Sequence, residues 1–285
     1  MQRILLLGDE RKGSSLVQVH EIADWLRAEG RTVELVLDRD SSLVDCVADL
    51  LIVFGGDGSL LGAARRMGAN QVPTLGINVG RLGFLTAFES HRAKEAIELA
   101  LAGKLREEPR LLLAGSVTDP DGSCVEPVLC MNDAVVSRRA IGGMVTLRAS
   151  RGGEEIATYR GDGLIVSTAA GSTAYSLAAG GPVLLPGLEA LVLTPLASHA
   201  LSACPLVVPV DEGLDIEVLE TGNGGFAFLQ LDGQVRIKVT DGSRATLRPA
   251  DVKFRHLWTG PDHFFRVLRR KFGFTGLPPD EQEPS

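Results

Sequence analysis

No CxxC pair occurs in the chain, and its four cysteines, Cys46, Cys124, Cys130 and Cys204, are scattered without a close histidine partner. That spacing excludes a disulfide frame or a zinc site and reads as buried or incidental thiols in a reducing cytosol. Long apolar runs are also missing. The N-terminal run Ile4–Leu7 is followed at once by Asp9 and Glu10, too short for a signal peptide. Nothing approaches the roughly 20 apolar residues that span a bilayer. Basic charge is not in excess: 29 Lys and Arg stand against 36 Asp and Glu, a formal net charge of -7. This argues against broad binding to nucleic acid or an anionic membrane. An anionic small molecule stays open, because backbone N–H groups can build a phosphate site locally. Aromatics are few, at 5%, and neither GxxxxGK[ST] nor GxGxxG is present, so the P-loop and the dinucleotide fingerprint do not apply. The expectation is a soluble, cytoplasmic protein.

What is present is glycine: 33 in 285 residues, about 12% against an average near 7%. They gather in two stretches, Gly55–Gly83 and Gly161–Gly187. The length suits two medium domains or one large one. The first part alternates apolar strands with helical periodicity. Strands are expected at Ile4–Gly8, Thr32–Leu37, Asp49–Phe54 and Thr74–Asn78. Helices are expected over Leu16–Leu26, Ser59–Met67 and His91–Ala102. Such alternation indicates a parallel sheet covered on both faces. After about Arg110 short β segments follow one another, separated by Asp-Gly, Gly-Gly and Asn-Gly turns. They are placed at 110–118, 129–137, 144–149, 154–159, 164–168, 191–194, 214–219, 226–231 and 245–248. A helix over Thr173–Ala179 interrupts them. The tail carries a basic amphipathic helix, Phe264–Phe272, and ends in a polar, proline-rich segment expected to be disordered. No internal repeat is visible.

The strongest local feature is Val53-Phe-Gly-Gly-Asp-Gly-Ser59. A buried strand ends, glycines enclose one Asp, and a helix begins. Glycine lets a ligand lie on the backbone, and a helix N-terminus attracts anions. An aspartate there would repel phosphate unless it meets a hydroxyl or a metal. Asp57 is thus a candidate base or metal contact, or alternatively a turn and helix-capping residue. A second glycine-rich segment, Gly76-Ile-Asn-Val-Gly-Arg-Leu-Gly-Phe84, also follows a strand, where open sheets bind ligands. Phe84, read alone, is core more often than ligand contact. Asn132-Asp133 precede an apolar run and read alone as a strand-entry turn. In Arg160-Gly-Asp-Gly-Leu-Ile-Val-Ser-Thr-Ala-Ala-Gly-Ser-Thr-Ala-Tyr-Ser176 a strand lies between a charged loop and a small-residue loop. Small residues let a flat base approach the backbone, and Tyr175 offers a stacking face. Leu231-Asp-Gly-Gln234 reads as a hairpin turn.

In this order, these segments resemble the NAD kinase family, over nearly the whole chain. The resemblance rests on Gly55-Gly-Asp-Gly58, Asn78-Val-Gly-Arg-Leu-Gly-Phe-Leu-Thr86, Asn132-Asp133, Asp162–Thr168, Gly171–Leu177 with Gly180-Gly-Pro182, Asp232-Gly-Gln234 and Phe264–Lys271. It implies an α/β plus all-β fold: a Rossmann-like parallel-sheet domain at 1–109 and a β-rich, β-sandwich-like domain at 110–249. Residues 250–276 would return to the first domain, 277–285 would be disordered, and NAD would lie between the domains. It implies transfer of a γ-phosphoryl from ATP, or another donor, to the 2′-hydroxyl of the adenosine ribose of NAD, giving NADP. Asp57 would accept the hydroxyl proton, with Gly58 and Phe84 beside it. Asn132 and Asp133 would hold NAD, and Arg160 and Asp162 would contact it, from a neighbouring subunit in a homodimer or homotetramer. Thr173, Ala174, Tyr175, Ser176, Leu177 and Ala178 would cradle the adenine, and Gln234 matches a further binding position. Mg²⁺ would be needed, held largely by water and substrate oxygens, with no dedicated metal cage. Ala169, Ala170, Ala178 and Cys204 depart from the family pattern. Two rival readings are a lipid kinase sharing the Gly-Gly-Asp-Gly loop and a non-catalytic NAD-binding sensor.

Overall fold

The computed structural model describes residues 2–11, 13–80, 83–139, 143–198, 204–222 and 225–273. The expected disordered tail 277–285 and most of the segment 198–205 lie outside them, as do Arg81 and Leu82. The chain forms two compact units. One comprises Met1–Ala63, Val72–Glu108 and the chain from Arg255; the other comprises Ala64–Gln71 and Pro109–Phe254.

The elements begin with β1 (Arg3–Leu7), α1 (Gly13–Ala28), β2 (Thr32–Val36), β3 (Leu50–Gly55), α2 (Asp57–Met67) and β4 (Thr74–Asn78). Next come β5 (Phe88–Glu89), α3 (Ala93–Leu101) and β6 (Arg106–Arg110). The β-rich part holds β7 (Leu113–Thr118), β8 (Cys124–Cys130), β9 (Asp133–Arg138), β10 (Val145–Arg151), β11 (Glu154–Gly161) and β12 (Gly163–Thr168). After α4 (Tyr175–Ala178) follow β13 (Ala190–Leu196), β14 (Leu206–Pro209), β15 (Leu214–Glu220), β16 (Ala227–Leu231), β17 (Val235–Val239) and β18 (Arg244–Pro249). The chain closes with β19 (Phe254–Trp258) and α5 (Pro261–Phe272).

The first sheet has the order β2-β1-β3-β4-β19-β6, with β5 paired to β4. Its pairs β1–β2, β1–β3, β3–β4, β4–β5 and β4–β19 are parallel. All of β3 and β4 is buried, as strands covered on both faces must be. Ile4, Leu6, Ile52, Phe54, Leu75 and Ile77 pack with Val19, Ile22 and Leu26 of α1 and Ala96 and Ile97 of α3. Those helices therefore cover one face, while Gly55 and Asn78, paired in register, end their strands side by side.

The second unit contains two six-stranded antiparallel sheets, β11-β10-β15-β18-β7-β8 and β14-β13-β12-β9-β16-β17. Their alternating inward residues meet in one core, including Leu147, Ile216 and Leu247 of one sheet and Val136, Val166 and Leu229 of the other. That is a β-sandwich. Two expectations are corrected here. The helix over Thr173–Ala179 is only a 3-10 turn, Gly171–Thr173, followed by the four-residue α4. Ala174, at φ -100 and ψ -127, breaks the helical backbone between them. The expected strand 129–137 is two strands, β8 and β9, divided at Met131-Asn132.

Candidate active site

In the first unit the Gly-Gly-Asp-Gly turn joins the end of β3 to α2. Asp57 is the first residue of the helix, where free N–H groups and the macrodipole favour an anion. Its carboxylate turns to the loop after β4. Oδ2 accepts the Phe84 N–H at 2.8 Å, and Oδ1 accepts the Leu85 N–H at 3.0 Å and the Thr86 hydroxyl at 3.5 Å. A carboxylate has about four lone-pair positions, so these donors orient it and leave it able to accept one more hydrogen bond. A Cβ on Gly83 would land on this carboxylate; only glycine fits there. Gly58 is exposed beside it.

The cradle loop is itself held from β19 and α5. The fully buried His256 bonds the Leu85 carbonyl through Nε2 at 2.7 Å. The Phe84 ring lies 5.5 Å from Phe264 and stacks on Phe272 at 6.0 Å, with Lys271 over it at 5.3 Å. Buried His263 accepts from Arg266 at Nδ1. Burial, aided by the Arg266 charge, lowers its pKa to about 4, so the imidazole beside this loop is neutral at physiological pH.

In the second unit, β9 opens at Asp133, and the turn before it is pinned by the β16–β17 hairpin. Asp232 takes φ 53 there. Its carboxylate accepts the N–H groups of Met131 at 2.9 Å, Asn132 at 2.7 Å and Asp133 at 3.2 Å. The Asp232 N–H in turn donates to the Asp133 carbonyl. Burial raises both acids, and the Asp232 charge adds to the effect on Asp133, bringing it to about 7. On Asp232 burial is opposed by the three N–H bonds and by Arg65. Asp133 is therefore the member that keeps its proton longer.

Asn132, Asp133, Ala174, Tyr175, Gln230, Asp232 and Gly233 are among the residues lining a cavity of about 390 Å³. Tyr175 is 49% exposed and open to a ligand's face. The Asn132 backbone is fixed from the small-residue segment: its carbonyl accepts the Thr168 N–H at 2.9 Å, and a Cβ on Gly171 would collide with it. The small residues thus let the segment lie against Asn132.

Other residues singled out in the sequence are placed differently. Ser176 is fully buried and shares a hydrogen bond with Thr194. Thr173 donates to the Ala170 carbonyl at 3.4 Å. Leu177 is half-buried and Ala178 exposed. Gln234 accepts from Arg65 at 2.6 Å. Arg160 is exposed on β11, and Asp162 forms a bidentate pair with Arg138 at 2.6 and 3.1 Å. None of these seven lines the cavity. Sequence reasoning passed over His256, His263 and the Asp232 carboxylate. For Asp232 the available signals were the Asp-Gly hairpin turn, which orients its side chain, and its place in the Asp232-Gly-Gln234 segment of the resemblance. Among the described residues, no three His, Cys, Asp or Glu side chains converge as a metal cluster, and no helix is long and apolar enough to cross a membrane.

Comparison with known proteins gives consistent matches along the chain. The family model for the ATP-NAD kinase N-terminal domain matches residues 11–105, and that for the ATP-NAD kinase C-terminal domain matches 131–257. An NAD kinase of Desulforamulus reducens is 36% identical over 283 residues, covering 95% of this chain and 97% of its own. The crystal structure of yeast NADH kinase complexed with NADH superposes with a TM-score of 0.88 at 20% identity, covering 100% of this chain and 90% of that one. An Archaeoglobus fulgidus NAD kinase in complex with ATP gives 0.73 at 27% identity, covering 94% and 97%.

Proposed function

The chain belongs to the ATP-NAD kinase family and phosphorylates NAD, and we propose that ATP is its phosphoryl donor and Asp57 its proton acceptor. In this reading the 2′-hydroxyl of the adenosine ribose gives its proton to the Asp57 carboxylate as its oxygen attacks the γ-phosphorus. The bond to the β,γ-bridging oxygen breaks, ADP leaves, and NADP is formed. Phosphoryl transfer depends mainly on positioning and charge stabilisation, so an oriented carboxylate with one acceptor position left suits the task better than a strong base. The observation that carries this reading is the Asp57 cradle, with Phe84, Leu85 and Thr86 all donating to one carboxylate.

Asn132, Asp133, Ala174 and Tyr175 hold the adenosine part of NAD. Asn132 and Asp133 supply polar contacts and Tyr175 a stacking face, while Thr173, Ser176, Leu177 and Ala178 shape the turn that presents it. Phe84 and Gly58 flank the reacting hydroxyl, and Gln234 is a further NAD contact. Arg160, exposed on the edge strand β11, meets NAD from a neighbouring subunit together with Asp162, in a cytoplasmic homodimer or homotetramer. The oxygen chemistry of Asp57 fits Mg²⁺, which keeps most of its ligands as water and phosphate oxygens. When bound, that ion would neutralise charge on the triphosphate.

The test is incubation with NAD, ATP and Mg²⁺, read with an NADP-specific dehydrogenase. NADP formation dependent on ATP is the expected result. NADP formed only from another donor would defeat the donor assignment, and normal turnover by Asp57→Asn would defeat the proton-acceptor assignment.

A further inference from the structure

The turn that opens β9 is shaped by a residue a hundred positions later in the chain. We propose that Asp232 is a positioning residue for NAD, fixing Asn132 and Asp133 by taking three consecutive backbone N–H groups on one carboxylate. The proposal rests on the reading of Asn132 and Asp133 as NAD contacts.

The backbone is the first support. Asp232 sits at φ 53, a region that L side chains seldom adopt and glycine takes freely, as the adjacent Gly233 does at φ 64. An Asp-Gly pair is what a two-residue hairpin turn favours, and this turn is what brings the Asp232 carboxylate to the N–H groups at the start of β9. The N–H groups are the second support. Successive backbone N–H groups pointing to one centre form an anion-binding concavity, and here the anion is the Asp232 side chain. With all three N–H groups committed, Met131, Asn132 and Asp133 have one backbone arrangement, and the last two present their side chains to the cavity.

Charge gives the proposal a second readout. The ionisable groups around Asp133 are Asp232, the buried Cys130 thiol and the Arg65 guanidinium, which acts on Asp232 and Cys130. Burial and the Asp232 charge hold Asp133 near neutrality. Removing that charge while keeping the turn lowers the pH at which Asp133 titrates, and a structural substitution elsewhere would not do this.

The experiment compares Asp232→Gly, Asp232→Asn and Asn132→Ala in the full-length enzyme, with NAD and ATP as substrates. Glycine accepts the left-handed backbone and removes the carboxylate. Asparagine tolerates the same backbone, keeps an acceptor oxygen and removes the charge. Asp232→Gly is expected to raise KM for NAD about tenfold or more, the effect of losing hydrogen bonds to a charged group. Its kcat and its KM for ATP should stay within about threefold. Asp232→Asn is expected to restore KM for NAD largely, while the midpoint of its pH dependence moves down from about 7. An unchanged KM for NAD in Asp232→Gly, a uniform loss of kcat and both KM values, or an unmoved midpoint in Asp232→Asn overturns the proposal. If Asp232→Gly does not fold, the Asp232→Asn midpoint decides alone. Asn132→Ala separates the two claims. A KM for NAD unchanged in that variant shows that the Asn132 assignment failed, whereas a raised KM there with no effect at Asp232 fails the proposal alone.

Discussion

Asp57 in the first unit and Asp232 in the second are held by the same device, a carboxylate accepting backbone N–H groups, but the device works in opposite directions. At Asp57 the donors belong to a loop fixed from outside by His256, Phe264 and Phe272, so the N–H groups aim the carboxylate. At Asp232 the donors are the residues that line the cavity, so the carboxylate aims the residues carrying them. On the proposed reading, one aspartate is prepared for reaction and the other serves as scaffold. Residue type does not separate them; the origin of their partners does.

Substitution of the two glycines that make room for these arrangements would separate the two roles. Gly83→Ala places a methyl on the Asp57 carboxylate and is expected to lower kcat about a hundredfold, the cost of a misplacement near 1 Å, with KM for NAD little changed. Gly171→Ala presses on the Asn132 carbonyl and should instead raise KM for NAD about tenfold, with kcat largely kept at saturation. Steady-state kinetics on both variants checks the contrast. The same loss in both parameters for both variants would break it.

Removing the support behind the cradle should give a smaller catalytic effect with a larger structural one. Phe264 is 2% exposed, and Phe264→Ala should cost about 3–5 kcal/mol, read as a lower urea midpoint. Loosening the Phe84 loop should lower kcat by about tenfold without raising KM for NAD. A kcat equal to that of the unmodified enzyme would show that α5 does not tension the loop.

The smallest expected effect is on the pH dependence of stability, where the two units should oppose each other. His263 has a folded pKa of about 4, below its ordinary 6.5. Its contribution is full above 6.5 and is lost as pH falls toward 4. Asp133 has a folded pKa of about 7, above its ordinary 3.8. Its contribution is full below 3.8 and is lost as pH rises through 7. Melting curves over this range should show His263→Gln flattening the acid side and Asp133→Asn the neutral side. Either variant acting on the opposite side would contradict the assignment of cause.

The strands of the first unit were legible because parallel strands buried on both faces leave continuous apolar runs, such as Leu50–Phe54. β6, with the sequence Arg-Glu-Glu-Pro-Arg, was not; it lies at a sheet edge, where pairing rather than burial makes the strand. β19 was missed because its pairing to β4 joins His256 to Thr74 across most of the chain. β17, Val-Arg-Ile-Lys-Val, does alternate apolar and charged residues as a half-buried strand should, so its signal was present and was passed over. Within the site, Asp57 stood out because glycines framed it between a strand and a helix. The donors that hold it were partly visible in the Phe84 segment. His256 and His263 were not, since contact across β19 and α5 leaves no local signature. The small residues of 169–174 suggested an approaching flat ligand, yet Gly171 is also required by the Asn132 carbonyl.

Asp57→Asn tests the central claim most directly, because the amide keeps the shape of the side chain but cannot take the proton. Turnover should fall by about a hundredfold to ten-thousandfold, the range of general-base catalysis, while calorimetric affinity for NAD stays within about threefold. A variant with near-normal kcat, or one that loses NAD binding in proportion to turnover, would contradict the assignment of Asp57 as proton acceptor.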